Sequence, residues 1–332
     1  MAGEYNVRLS TYLGKRAVQE NQFDKVSFVD VDPEYAGQRL DNFLIRHLKG
    51  VPKSRIYNLL RKGEIRVNKG RVKADTRLKA NDIVRIAPIR IAERGAPAVV
   101  GSQLKRYLSE NILFEDDGLL IINKPSGLAV HGGSGISLGA IEAMRLERPE
   151  LRFLELVHRL DRETSGCLMF AKKRAVLVEI QQAMQRNQIQ KNYLTLVKGV
   201  WPKGKSTVNA PLRKNQISSG ERIVRVDAEG KASVTHFKVN RRFKEATLLD
   251  VTLETGRTHQ IRVHCQFSGT PVAGDDKYGD KAFNDRLREL GLRRLFLHAC
   301  RLRFKHPLSG DWVQVDAPVP NDLSAVLEKI PE

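Results

Sequence analysis

The composition of this 332-residue chain limits the classes of protein to which it can belong. Its 57 lysines and arginines against 38 acids give a net charge of +19, which favours a polyanionic partner. The cysteines Cys167, Cys265 and Cys300 lie far apart without C-x-x-C spacing, which argues against a disulfide framework. The sequence has no apolar run of the ~18 residues that a membrane helix needs and no signal-peptide pattern at its N-terminus, so we expect a soluble, cytoplasmic protein.

The first patterned segment begins near residue 36, after an N-terminal extension over 1–30 to which we assign no function. Apolar residues from Leu40 to Leu48 fall on one face of a helix, and Ser54 suits the N-cap of a second helix that ends at Gly63. An Asn-Lys-Gly turn and the apolar run 83–86 then predict a small sheet.

The segment 37–90 is strongly basic, with 15 lysines and arginines against 4 acids and a net charge of +11. A module this basic favours a polyanion over a merely solvated surface, and without the aromatic platform that stacks single-stranded bases we expect contacts to a nucleic-acid backbone. The cations that we expect to bind RNA are Arg39, Lys53, Arg55, Arg61, Lys62, Arg66, Lys69 and Arg71.

Three stretches of this segment carry a resemblance: GQRLDNFL, PKSRIYNLLRKGEIRVNKGRV and ADTRLKANDIVRI. They resemble the alpha-L RNA-binding domain first seen in ribosomal protein S4. The resemblance implies that residues 36–90 form such a domain.

A second domain is predicted over 108–325, after a linker at 91–107 that has no periodicity. Its strands and helices mix without regular βαβ alternation, which predicts an α+β fold with a mixed, mainly antiparallel sheet. Glycines 132, 133 and 135 match neither G-x-G-x-x-G nor a Walker motif, so we interpret them as a tight loop and not as a phosphate site.

The run HRLDRETSG at 158–166 places the carboxylate of Asp161 between Arg159 and Arg162, in a loop that leads into an apolar strand. Nearby cations keep such a carboxylate ionised, and it can then act as a nucleophile or as a general base. A salt-bridged surface acid is the simpler interpretation of the loop alone. Two further polar residues change the balance: Tyr193 opens a strand, and Arg262 lies on a helix that Thr258 can cap.

Four motifs, NKPSGLAVHGG, HRLDRETSG, KNYLTLVKG and GRTHQIRVH, resemble those of the RluA family of pseudouridine synthases. The resemblance implies the pseudouridine synthase fold, with Asp161 as the catalytic aspartate, Tyr193 as the active-site tyrosine and Arg262 as the arginine that pairs with the aspartate. It also implies substrate contacts from the motif residues Lys124, Arg159, Arg257 and His259. The family reaction turns uridine into pseudouridine without oxidation, so no cofactor and no metal ion are expected.

The resemblance further implies large-subunit ribosomal RNA as the partner, either free or in an assembling particle, and we expect a monomer. Two other classes remain open. A non-catalytic ribosome-assembly protein would use the same basic module but would leave Asp161, Tyr193 and Arg262 without a role. A glycoside or nucleoside hydrolase would normally need a second acid, for which Glu163 is the nearest candidate, and it would release free base.

Overall fold

The computed structural model describes residues 25–48, 51–89, 101–132, 138–216 and 222–332. The chain divides into two compact units, Met1–Pro97 and Ala98–Glu332. In the described part of the chain, no helix is long and apolar enough to cross a membrane.

The first unit packs two helices against a small antiparallel sheet with the strand order β1-β4-β2-β3. Its elements are β1 (Ser27–Asp30), α1 (Leu40–His47), α2 (Lys53–Lys62), β2 (Ile65–Val67), β3 (Gly70–Arg71) and β4 (Ile83–Ile86). The apolar face predicted for α1 is buried, with Leu40 and Leu44 inaccessible to solvent. Asn68 and Lys69 have positive φ angles of 48° and 67°, which suits the tight turn between β2 and β3.

Two local predictions for this unit are wrong. Strand β1 lies within the predicted extension and pairs with β4, so residues 27–30 belong to the sheet. Helix α2 begins at Lys53 with Pro52 at its N-cap and no capping side chain, so Ser54 lies inside the helix. Pro52 has the extended backbone that an N-cap residue adopts, so the helix begins one residue before Ser54.

The second unit is built around one ten-stranded sheet, and its other strands, β11 and β12, form a separate hairpin. Its elements are α3 (Ser102–Glu110), β5 (Ile112–Glu115), β6 (Leu119–Lys124), α4 (Ala140–Glu147), β7 (Glu155–Leu156), β8 (Ser165–Ala171), α5 (Arg174–Gln185), β9 (Gln190–Lys198), β10 (Thr207–Asn209), β11 (Leu212–Gln216), β12 (Arg222–Val226), β13 (Val234–Arg242), β14 (Ala246–Leu253), α6 (Gln260–Phe267), α7 (Lys281–Glu289), β15 (Leu297–Lys305), β16 (Trp312–Asp316) and α8 (Asn321–Lys329).

The main path of the large sheet runs β10-β13-β14-β9-β15-β8-β6-β5, with β16 beside β15 and β7 beside β8. All of its pairs are antiparallel except β8 with β15. At that parallel pair Gly166 has φ +107°, and a Cβ there would lie 2.2 Å from the carbonyl oxygen of Ala299. The mixed, mainly antiparallel sheet confirms the predicted fold class.

Some boundaries in this unit differ from the predictions. Residues 102–107 were placed in the linker but form the first turns of α3, because Leu104 and Leu108 pack on the core of the second unit. Helix α8 extends past 325 to Lys329. Gly133 and Gly135 of the glycine cluster lie outside the described residues.

Candidate active site

The loop that carries Asp161 connects β7 to β8 and is held against the turn that follows β6. The backbone N–H of Gly127 donates to the carbonyl of Arg162 (3.0 Å), the Arg162 Nε donates to the carbonyl of Gly127 (2.9 Å), and the Ser126 hydroxyl donates to the carbonyl of Glu163 (2.7 Å). These bonds fix a segment without regular secondary structure. They position Asp161 at the entrance to β8.

Lys124 is the central support of this loop. Its side chain is fully buried, and Nζ donates to the carbonyls of Pro125 (2.8 Å), Leu128 (2.8 Å) and Arg162 (2.9 Å). An ammonium has three protons, so none remains for a ligand. The predicted substrate contact of Lys124 therefore conflicts with this geometry, and we assign Lys124 to positioning the loop.

Asp161 and Arg262, 101 residues apart in sequence, meet in the site. The Arg262 Nη1 donates to Asp161 Oδ2 at 3.3 Å. The rest of the guanidinium is taken by Asp275, whose Oδ2 accepts from Nε (2.7 Å) and whose Oδ1 accepts from Nη2 (2.8 Å). This bidentate pair fixes the plane of the guanidinium and aims its remaining edge at Asp161.

Asp275 is itself firmly held. Its side chain is completely buried, and Oδ1 also accepts from the backbone N–H groups of Lys277 (2.9 Å) and Tyr278 (3.0 Å). Burial alone would raise the pKa of Asp275, but the hydrogen bonds and charge of Arg262 lower it below its ordinary value. Asp275 is therefore a permanent anion that keeps Arg262 in place.

His259 is a second neighbour of the Asp161 carboxylate. Its Nε2 lies 3.9 Å from Asp161 Oδ2, and its Nδ1 lies 2.7 Å from the hydroxyl of Tyr278. His259 is the N-cap residue of α6 and has the left-handed backbone angles φ 55° and ψ 19°. The prediction that Thr258 caps this helix is wrong, because no side chain caps it.

Tyr193 lies on β9, on the sheet face of the main hydrophobic core, and is 8% exposed. Burial, followed by the negative charge of Asp161, raises the pKa of Tyr193. The phenol is therefore neutral. Asp161 and Arg262 are in contact, and Tyr193 stays a predicted member of the site.

The arginines beside Asp161 in sequence are not its partners. In the described structure, neither Arg159 nor Arg162 forms a hydrogen bond or ion pair with Asp161, although both are exposed. Arg257 is also exposed and donates from Nε to the carbonyl of Ala232 (3.1 Å). Arg159 and Arg257 thus remain predicted substrate contacts at the surface.

Asp275 and Tyr278 were missed in the sequence. Both lie in the loop GDDKYGD at 274–280, where two glycines bracket two acids, a lysine and a tyrosine, a composition that could have drawn attention. The loop is anchored on β9 because the N–H of Ala273 donates to the carbonyl of Leu196 (2.9 Å). Over the described ranges, no cluster of three or more histidine, cysteine or acidic residues is arranged to hold a metal ion.

The predicted RNA-binding cations of the first unit are all exposed. Arg55 and Arg61, with Pro52, Ser54, Tyr57 and Asn58, line an open depression of about 640 Å³ along α2. Arg39 forms an ion pair within the unit, because its Nε and Nη2 donate to Asp41 (3.1 and 2.7 Å). Asp41 also accepts from the Tyr57 hydroxyl (3.0 Å).

Comparisons with known proteins agree with this arrangement. The profile described as RNA pseudouridylate synthase matches residues 118–267, and that of the S4 domain matches residues 38–84. The ribosomal large subunit pseudouridine synthase C of Pasteurella multocida (strain Pm70) is 52% identical over 309 residues, or 92% of this chain and 94% of that protein. The protein of the same name from Escherichia coli (strain K12) is 54% identical over 308 residues, or 92% and 97%.

A solved structure, human RNA Pseudouridylate Synthase Domain Containing 4, is also similar. It aligns with a TM-score of 0.57 and 26% identity over 69% of this chain and 98% of that one. With the high identity to the curated relatives over most of their length, the chain belongs to the RluA family of RNA pseudouridine synthases and carries an N-terminal S4 domain.

Proposed function

We propose that this protein isomerises uridines of large-subunit ribosomal RNA to pseudouridine, with Asp161 as the reacting group. The observation that carries the proposal is the Asp161–Arg262 pair, in which two hydrogen bonds to Asp275 fix the guanidinium. A carboxylate held this way is oriented and partly exposed, as a nucleophile or base must be. The relatives' printed names supply the RNA class.

The geometry distinguishes the two oxygens of Asp161. Oδ2 accepts from Arg262 and lies near His259, whereas Oδ1 has no hydrogen-bond donor among the described residues. We therefore assign the reaction to Oδ1. It attacks the ribose or the uracil ring, or removes the proton that starts glycal formation; all three routes use the same oxygen.

The reaction breaks the C–N glycosidic bond of uridine and rejoins the same base to the same ribose through a ring carbon, which loses its proton. No atom is gained and no electron is transferred to a partner, so the chain's own residues suffice in this proposal. Tyr193 is neutral and offers its ring face to the uracil. Arg262 holds Asp161 in place through the rearrangement.

A uridine within structured RNA must leave its stack to reach Asp161, at a cost of about a few kcal/mol. Exposed Arg159 and Arg257, together with His259, are the proposed substrate contacts. The basic S4 domain would provide affinity for the RNA backbone that offsets this cost. We propose a monomer that acts in the cytoplasm on free RNA or on an assembling particle.

The test is tritium release from the uracil carbon that becomes glycosidic, measured on large-subunit RNA from cells that lack the enzyme. Wild type should release tritium, and Asp161→Asn should release none while it binds RNA as tightly as wild type. Asp117→Asn is the matched control, because Asp117 is an exposed acid in the same unit without a described partner. Turnover by Asp161→Asn would refute the assignment, and release of free uracil would indicate a hydrolase.

A further inference from the structure

Tyr278 places its hydroxyl between a backbone amide and the imidazole of His259. Its ring is 3% exposed and packs in a cluster with Leu212, Val224 and Val263, which connects the β11–β12 hairpin to helix α6. The Arg262 guanidinium lies 5.0 Å from the centre of this ring. Tyr278 therefore contacts two of the groups that surround Asp161 but does not itself contact the carboxylate.

The hydrogen-bond partners determine where the hydroxyl proton lies. The backbone N–H of Val224 can only donate, so it donates to Oη (3.0 Å). His259 Nδ1 lies 2.7 Å from the same oxygen. If Nδ1 were also a donor, the hydroxyl proton would have no acceptor among the described residues. The arrangement that satisfies every group has the tyrosine donating to Nδ1.

This direction fixes the tautomer of His259. Burial lowers the pKa of His259 against the attraction of Asp161, so the ring is neutral at pH 7. A neutral imidazole that accepts at Nδ1 has its proton on Nε2. Nε2 is the nitrogen on the Asp161 side, 3.9 Å from Oδ2, which is too far for a direct hydrogen bond.

We propose that Tyr278 is a positioning residue that holds the His259 proton on Nε2, where it is donated to an oxygen of a uridine bound against Asp161. The inference rests on the proposed function and deepens it. A neutral donor fixed beside the carboxylate of Asp161 stabilises negative charge that develops on the substrate. Because the imidazole is neutral, it does so without placing a second cation beside Arg262. The left-handed backbone of His259 is consistent with a ring that must be presented at one defined angle.

The first test reads the tautomer directly. Nitrogen NMR on the full-length protein with labelled histidine distinguishes a protonated Nε2 from a protonated Nδ1, and the His259 signals are assigned by their loss in His259→Gln. We expect Nε2 to be protonated in wild type and the proton to redistribute in Tyr278→Phe. A protonated Nδ1 in wild type would overturn the proposal. This measurement needs no turnover, so it fails independently of the proposed function.

The second test is a double-mutant cycle on tritium release. Tyr278→Phe removes both hydrogen bonds of the hydroxyl, to Val224 and to His259, and should lower kcat about 3- to 10-fold, with RNA affinity unchanged. His259→Gln keeps a donor near the position of Nε2 and should retain more activity than His259→Asn. Adding Tyr278→Phe to His259→Gln should cost nothing more, whereas a purely structural tyrosine would lower kcat equally in both backgrounds. Equal losses would therefore refute the proposal.

Discussion

Replacing Lys124 by methionine tests whether one buried ammonium holds the catalytic loop. Methionine has a similar volume but no proton to donate, so the carbonyls of Pro125, Leu128 and Arg162 lose their partner. At about 1 kcal/mol for each carbonyl left without a donor, the second unit should lose about 3 kcal/mol of unfolding free energy. Burial lowers the pKa of Lys124 to about 7, so the experiment belongs at pH 6, where the ammonium makes all three bonds.

Urea unfolding followed by tryptophan fluorescence isolates this unit, because both tryptophans, Trp201 and Trp312, lie in it. With a denaturant slope of about 3 kcal/mol/M, the midpoint of Lys124→Met should fall by about 1 M. The matched control is Lys244→Met, since Lys244 is an exposed lysine of the same unit. If the two variants unfold at the same urea concentration, the three hydrogen bonds do not support the loop and the positioning role of Lys124 is wrong.

Two other predictions concern pH and salt. Burial lowers the pKa of His158 to about 4. Between pH 6.5 and 4, His158 therefore takes up a proton in the unfolded chain but not in the folded protein. The free energy of unfolding consequently falls as the pH drops below 6.5. Between pH 6 and pH 5, the unfolding free energy of wild type should fall by about 1 kcal/mol more than that of His158→Gln. Glutamine is chosen because its amide oxygen can still accept from the Met169 N–H. Equal losses in the two proteins would contradict this prediction. In the S4 domain, replacing Arg55 and Lys62 by glutamine should reduce the slope of log affinity against log salt by about 0.7 to 0.9 for each lost phosphate contact. Replacing the exposed control pair Lys73 and Lys79 should change the slope less, and an equal change would mean that the RNA does not favour α2.

The sequence was most informative where residues act through local pattern. The helical spacing around Leu40 and Leu44 predicts α1, and the apolar run 83–86 matches β4 residue for residue. The motifs also single out Asp161 and Arg262, which the fold brings into contact, and Tyr193, whose place in the site stays a prediction. The helix and the strand depend on neighbouring residues in the chain, and the motifs consist of residues that the family reaction requires.

The sequence was least informative where a side chain's role depends on distant partners. Lys124 resembles a substrate ligand in its motif, yet carbonyls up to 38 residues away accept all three of its protons. Arg159 and Arg162 flank Asp161 in sequence, but neither bonds to it in the described structure, and Arg262 supplies the partner. Asp275 and Tyr278 lie in a loop without periodicity, and only its contact with β9 and α6 reveals their use.

The distance in sequence between the partners in the site has a consequence for how the protein folds. Asp161 bonds to Arg262 across 101 residues, and the neighbouring strands β8 and β15 pair Ser165 with His298. Contacts between such remote segments close large loops and therefore form slowly. A growing chain that has not yet reached Arg262 already contains Asp161 but has no guanidinium to orient its carboxylate. Refolding experiments should thus show burial of Trp201 before catalytic activity returns.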